Sequence, residues 1–146
     1  MFCCMLANCP EGCCGAYSGF SKYLSSVDKR EFKEIVLTDR DASLLKNSKY
    51  SEYVYQGSDG LFRIYTSEDG CCKAYRNGKC SIEELKPTIC KCYPLYLDIF
   101  VGICSILSCP AVDSNFSLSQ YEDELIPFLD MCEFWVNHYK RIINKT

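Results

Sequence analysis

Thirteen of the 146 residues are cysteine, and their spacing is the chemical feature of this chain. Five fall in the run GCCKAYRNGKCSIEELKPTICKCYP, at Cys71, Cys72, Cys80, Cys90 and Cys92. Five more open the chain in FCCMLANCPEGCCGAY, at Cys3, Cys4, Cys9, Cys13 and Cys14. Thiolates are soft ligands: four in a tetrahedron suit zinc or iron, and iron–sulfur clusters are held by the same groups. The two clusters are therefore expected to come together around a metal or iron–sulfur centre. Disulfide bonding and core packing compete with ligation as uses for so much cysteine. Dense cysteine in an exported protein means disulfides, but the count is odd, no export signal is evident, and adjacent cysteines bridge each other poorly. Cysteine as a small core hydrophobe accounts for Cys132 and extends to Cys104, but not to the doublets.

Spacing does not separate zinc from iron–sulfur. Cys9-x3-Cys13 and Cys4-x4-Cys9 are not the CxxC of zinc ribbons, and no Cys-x2-Cys-x2-Cys ferredoxin run is present. Cys9-Pro10 and Cys109-Pro110 echo the Cys-Pro endings of ferredoxins. The thiols suffice for one four-ligand site with spares, or for two sites. A mixed Cys/His finger is disfavoured because the chain has one histidine, His138, which reads as a surface or core residue. The chain contains no GxGxxG, P-loop, HExxH or GxSxG. Nothing favours a Cys–His nucleophile pair. The acid pairs Asp39/Asp41 and Glu83/Glu84 read as solvated or capping groups, and no catalytic residue is assigned. Tyr75, Tyr93 and Tyr96, near the central cysteines, read as core or shielding groups able to limit solvent access to a cluster.

The elements that must position these thiols follow from local signals. Residues 1–20, punctuated by Pro10, Gly12, Gly15 and Gly19, read as a loop. Such a loop has few apolar groups to bury, and bound metal would order it. Residues 21–36 are expected to form a short helix of rough periodicity. Thr38 or Asp39 caps a second helix carrying Leu44 and Leu45. Tyr53–Tyr55 and Leu61–Tyr65 form a hairpin about Gly57–Gly60. Turns at Asp69-Gly70 and Asn77-Gly78 deliver Cys72 and Cys80, so that these two flank one knuckle whose backbone N–H groups aim at sulfur. Ser81–Leu85 gives one helical turn, stopped at Lys86-Pro87. Tyr96–Phe100 and Ile103–Leu107 read as strands about Val101-Gly102, placing Cys104 on the second and Cys109 just past it. The last element is a packing helix over 118–145. Ser119 and Glu122 suggest a capping box, and its apolar residues are Tyr121, Leu125, Phe128, Leu129, Cys132, Trp135, Val136, Tyr139, Ile142 and Ile143. Pro127 should kink this helix or mark its start.

The length suits one domain, 1–146. The formal net charge is −3, with acids and bases interspersed, which disfavours nucleic-acid binding. No run reaches the roughly 18 to 20 apolar residues of a membrane span. Leu95–Leu107 comes nearest and is broken by Asp98, Gly102 and Ser105. A cytoplasmic location is expected, since the first residues lack a basic region followed by an apolar one.

Over residues 9–110 the chain resembles the YkgJ-like cysteine-cluster proteins, described as a zinc- or iron-chelating domain. The matching residues are Cys9 then Cys13-Cys14, Leu37-Thr38-Asp39, Cys72, Gly78-Lys79-Cys80-Ser81-Ile82, Lys86-Pro87, and Cys90-Lys91-Cys92-Tyr93-Pro94. Lys86 and Lys91 stand where that family usually has arginine, and Cys3, Cys4, Cys71 and Cys92 are additional thiols. The resemblance implies metal chelation. It extends to part of flagellin lysine methylases, but no methyl-donor site is evident here.

The expectation is a small cysteine-rich α+β domain, metal-nucleated, with short β-hairpins and a C-terminal helix. Cys9, Cys13, Cys14, Cys72, Cys80 and Cys90 are the leading ligands, followed by Cys92, Cys104 and Cys109. The favoured cofactor is an iron–sulfur cluster of the 4Fe–4S type, serving a redox or electron-transfer accessory with a protein redox or metal-delivery partner. The alternatives are a zinc-binding structural or metal-handling module, and a metal-dependent enzyme of unknown substrate.

Overall fold

The computed structural model describes residues 34–68, 71–98, 100–105 and 118–145. They belong to an α+β protein of short antiparallel sheets and a long C-terminal helix. Two compact units can be distinguished, one within Cys9–Pro87 and one within Thr88–Thr146.

In the first unit, strand β1 (Ile35–Leu37) leads into helix α1 (Asp39–Lys46). Residues 21–36 were expected to be helical. Ile35 and Val36 instead lie in β1, because an Ile-Val-Leu run suits a pleated, half-buried surface; the rest of that segment lies outside the described residues. Of the two expected caps, Thr38 is the one used, and it forms a capping box with Asp41. Thr38 Oγ1 accepts the Asp41 N–H (3.1 Å), and Asp41 Oδ2 accepts the Thr38 N–H (3.3 Å). Ala42 and Leu45 are its buried apolar residues, while Leu44 is exposed.

A 3-10 turn (Ser51–Tyr53) precedes strand β2 (Val54–Gln56), and β3 (Phe62–Ile64) completes the expected hairpin. β3 pairs with both neighbours, giving the order β1-β3-β2 with Ile64 opposite Ile35 and Val54. Cross-strand partners share a face, so Leu37 and Ile64 enter one core with Ala42, Leu45, Tyr53, Cys72, Ala74 and Ile82. Arg63, on the opposite face, is buried and clamped: Nε donates to Glu34 (2.7 Å), and Nη1 and Nη2 donate to Asp59 (2.9 and 2.6 Å). These carboxylates hold its guanidinium firmly charged, with the Asp59 hydrogen bonds contributing most.

Beyond β3 the chain doubles back. Thr66 bridges Cys72, and Lys73 N–H donates to Tyr65 (2.9 Å). The expected Asp69-Gly70 turn lies outside the described residues. Strands β4 (Tyr75–Arg76) and β5 (Lys79–Cys80) then form a two-stranded ribbon. Asn77 and Gly78 both take positive φ, 51° and 76°, the backbone of a type I′ turn. A 3-10 turn over Glu83–Leu85 ends before buried Pro87.

In the second unit, helix α2 (Thr88–Lys91) is followed by a cis Tyr93–Pro94 bond. Strands β6 (Leu95–Asp98) and β7 (Gly102–Ser105) pair as a hairpin, with Tyr96 opposite Cys104. Helix α3 (Glu122–Ile143) packs against α2 and β6. Ser119, expected to open this helix through a capping box with Glu122, is not its N-cap. Ser119 lies within a 3-10 turn (Leu118–Tyr121), and Tyr121 is the N-cap without a side-chain cap bond. The helix starts at Glu122 and runs through Pro127, so Pro127 does not mark its start. Its buried stripe is Tyr121, Glu124, Phe128, Met131, Phe134 and His138. Leu129, Val136, Ile142 and Ile143, expected in the core, are exposed. Ile126, Met131 and Phe134 lie outside the arc of the ten positions expected to be apolar, and together the apolar residues of α3 wrap more than half the helix circumference, so periodicity alone does not select the arc that packs. Among the described residues no helix is long and apolar enough to cross a membrane.

Candidate metal centre

Cys72 and Cys80 are brought together by the β4–β5 ribbon and the segment leading into it. Cys72 follows the Thr66 bridge, and Tyr75 N–H returns to its carbonyl (2.9 Å). Three residues beyond the start of that turn, Tyr75 pairs with Cys80, and Ser81 N–H closes the ribbon onto the Ala74 carbonyl (2.8 Å). The expected knuckle is thus formed.

The backbone treats both sulfurs alike. Ala74 and Tyr75 N–H groups face the Cys72 sulfur, and the Ile82 N–H faces that of Cys80. In each case the residue two positions on supplies a donor. Such N–H groups favour thiolate. Burial is the larger effect and pushes both thiols up from their ordinary value. The Cys72 thiol is raised further by neighbouring Cys80, and that of Cys80 by Glu83 against the opposing effect of Lys86. A soft cation between the sulfurs would reverse the burial penalty and release protons as it bound.

The doublet is resolved by strand alternation. Cys72 and Ala74 point into the core, at 7% and 0% exposure, whereas Cys71 and Lys73 are half-buried. Cys71 joins the turn through its carbonyl, which accepts the Ser67 N–H (2.9 Å) and the Ser67 hydroxyl (3.3 Å). The sequence carried a signal for this assignment: a small apolar residue, Ala74, stands two positions beyond Cys72.

The second unit carries its own thiols. Cys90 lies half-buried on α2, and buried Cys92 just past it donates from Sγ to the Ile89 carbonyl (3.1 Å). Burial pushes the Cys92 thiol up to about 12, aided by the neighbouring Cys132 thiol. Cys132, read from sequence as a packing residue alone, therefore faces another thiol. Cys104 on β7 donates weakly to the Gly102 carbonyl (3.6 Å). Cys72, Cys80, Cys92, Cys104 and Cys132 carry free thiols. Cys9, Cys13, Cys14 and Cys109 lie outside the described residues. Among the described residues, no three His, Cys, Asp or Glu side chains gather as a metal site; Cys72 and Cys80 supply two sulfurs. His138 is a core residue, stacked on Phe134 (6.4 Å) and edge-on to Trp135 (5.7 Å).

Comparison of the chain with protein-family models, curated proteins and solved structures finds no match.

Proposed function

We propose that this chain is a metal-binding protein that holds a cysteine-ligated iron–sulfur cluster and acts as a redox or electron-transfer accessory. The observation that carries the reading is the Cys72–Cys80 pair: two neighbouring thiols, each faced by backbone N–H groups, one on a short ribbon and the other on the segment leading into it. That donor chemistry fits a thiophilic centre and supplies half of a four-thiolate set. Cys9, Cys13 and Cys14 are the partners assigned from sequence. The proposal includes membership of the YkgJ-like cysteine-cluster family, on the residues quoted above, and a reducing, cytoplasmic setting in which these thiols persist. When bound, the cluster would supply one-electron redox chemistry. The chain would contribute the sulfurs, the N–H groups that offset their charge, and a core that limits access of water.

The test is iron, sulfide and zinc analysis with a visible spectrum on anaerobically purified protein. Iron with inorganic sulfide and a visible charge-transfer absorption is expected, with a reversible reduction. A colourless protein with about one zinc per chain replaces the cluster with a zinc module. A metal-free protein with few titratable thiols overturns both.

A further inference from the structure

The outer face of α3 has a pattern that the packing role of the helix does not use. Ile126, Leu129, Val136 and Ile143 are 70%, 58%, 52% and 69% exposed. With exposed Glu133 and Lys140 they follow the spacing 3-4-3-4-3, the a/d seam of a coiled coil. The seam lies on the opposite side of the helix from buried Glu124, Met131 and His138. At 22 residues α3 is about 33 Å long, so the stripe runs nearly its whole length.

Charge along α3 is polarised. Glu122, Asp123, Glu124, Asp130 and Glu133 lie within residues 122–133, which hold no Lys or Arg. Lys140, Arg141 and, just past the helix end, Lys145 lie within residues 134–145, which hold no acid. A parallel pair would set acid against acid and base against base. An antiparallel pair sets Asp130 and Glu133 against Arg141 and Lys140 of the second copy, and the helix dipoles oppose favourably as well.

We propose that α3 is a homodimerisation surface, and that its occupant is α3 of a second copy of this chain, packed antiparallel. A twofold axis near Val136 sets Leu129 against Ile143 of the second copy on both sides. The same register brings Glu133 beside Lys140 of the second copy. One helix pair buries less than the ~1,600 Å² of a standard interface, so the dimer is expected to be reversible and concentration-dependent.

The test is sedimentation velocity of the full chain over a concentration series under reducing conditions. Wild type is expected to pass from monomer to dimer. Val136 is exposed, so V136E should leave the circular dichroism spectrum unchanged. It places like charges at the axis and should raise the dimer dissociation constant by about a hundredfold. E133K and K140E should each weaken the dimer, and the E133K/K140E double variant should recover it. Three results would overturn the proposal: a wild type that stays monomeric at the highest concentration, a dimer abolished by reductant, or a V136E protein that dimerises like wild type.

Discussion

Replacing Gly78 by alanine isolates the turn that positions Cys80. Gly78 sits at φ +76°, where a Cβ would meet nothing within 4 Å. The cost is therefore backbone strain without a clash. A left-handed conformation costs a non-glycine residue about 1–2 kcal/mol. Alanine also restricts the unfolded chain, which returns about 0.4–1 kcal/mol. The net expected loss is about 1 kcal/mol, read by urea unfolding of the metal-free, reduced protein. Gly60 supplies an internal control. Its φ is +81°, again with open space around a Cβ, but it lies in the β2–β3 hairpin, away from the sulfurs. Gly60→Ala should cost the same stability. Only Gly78→Ala should also weaken metal retention against a chelator, because the Asn77-Gly78 turn sets Cys80 opposite Tyr75, and a one-residue slip would carry the sulfur to the other face. A Gly78→Ala protein as stable as wild type refutes the strain argument. Equal metal retention in the two variants refutes the link between the turn and the site.

Three further outcomes are expected. Cys72→Ala should abolish metal incorporation while Cys71→Ala retains it, as measured by metal content per chain; the reverse ranking would invalidate the assignment from strand alternation. Leu45→Ala, at a fully buried position, should cost about 3 kcal/mol in chemical unfolding, and a loss below about 1 kcal/mol would contradict its central place in the first core. In metal-free protein, Cys92 gives an alkaline dependence. Its folded pKa, about 12, exceeds the ordinary 9.0, so its contribution is complete below about pH 9 and lost as pH rises through about 12. The stability of wild type relative to Cys92→Ala should therefore fall by about 1.4 kcal/mol per pH unit above pH 9, measured by urea unfolding at successive pH values. A pH-independent difference would show that Cys92 does not remain protonated in the folded protein.

Local signals carried much of this fold. The Thr38 cap needs only Asp41 three residues on, and the I′ turn needs only Asn77-Gly78. The hairpins β2–β3 and β6–β7 follow from β-rich runs joined through short turns. These are decided within a few residues, by backbone sterics and side-chain-to-backbone hydrogen bonds. The likeness of Cys72 and Cys80 belongs here too, since each sulfur is faced by an N–H two residues further along the chain.

Tertiary structure decided what local energies leave nearly level. Ile35–Leu37 became a strand because β3 offered an edge to pair with, whereas its rough helical periodicity extended back into a segment outside the described residues. Cys72 rather than Cys71 turned inward because the bridge to Thr66 set the pleat phase against the α1 core. The apolar residues of α3 wrap too far around the helix to name a buried face. Packing against α2 and β6 chose the arc of Phe128, Met131, Phe134 and His138, and left Leu129 and Val136 to solvent. Cysteine type and spacing by themselves determined that this chain carries soft-ligand chemistry. The pairing of Cys72 with Cys80 follows from a turn the sequence writes out, but which thiol of a doublet joins it depends on the side of a strand that meets a core, and only the folded chain supplies that core.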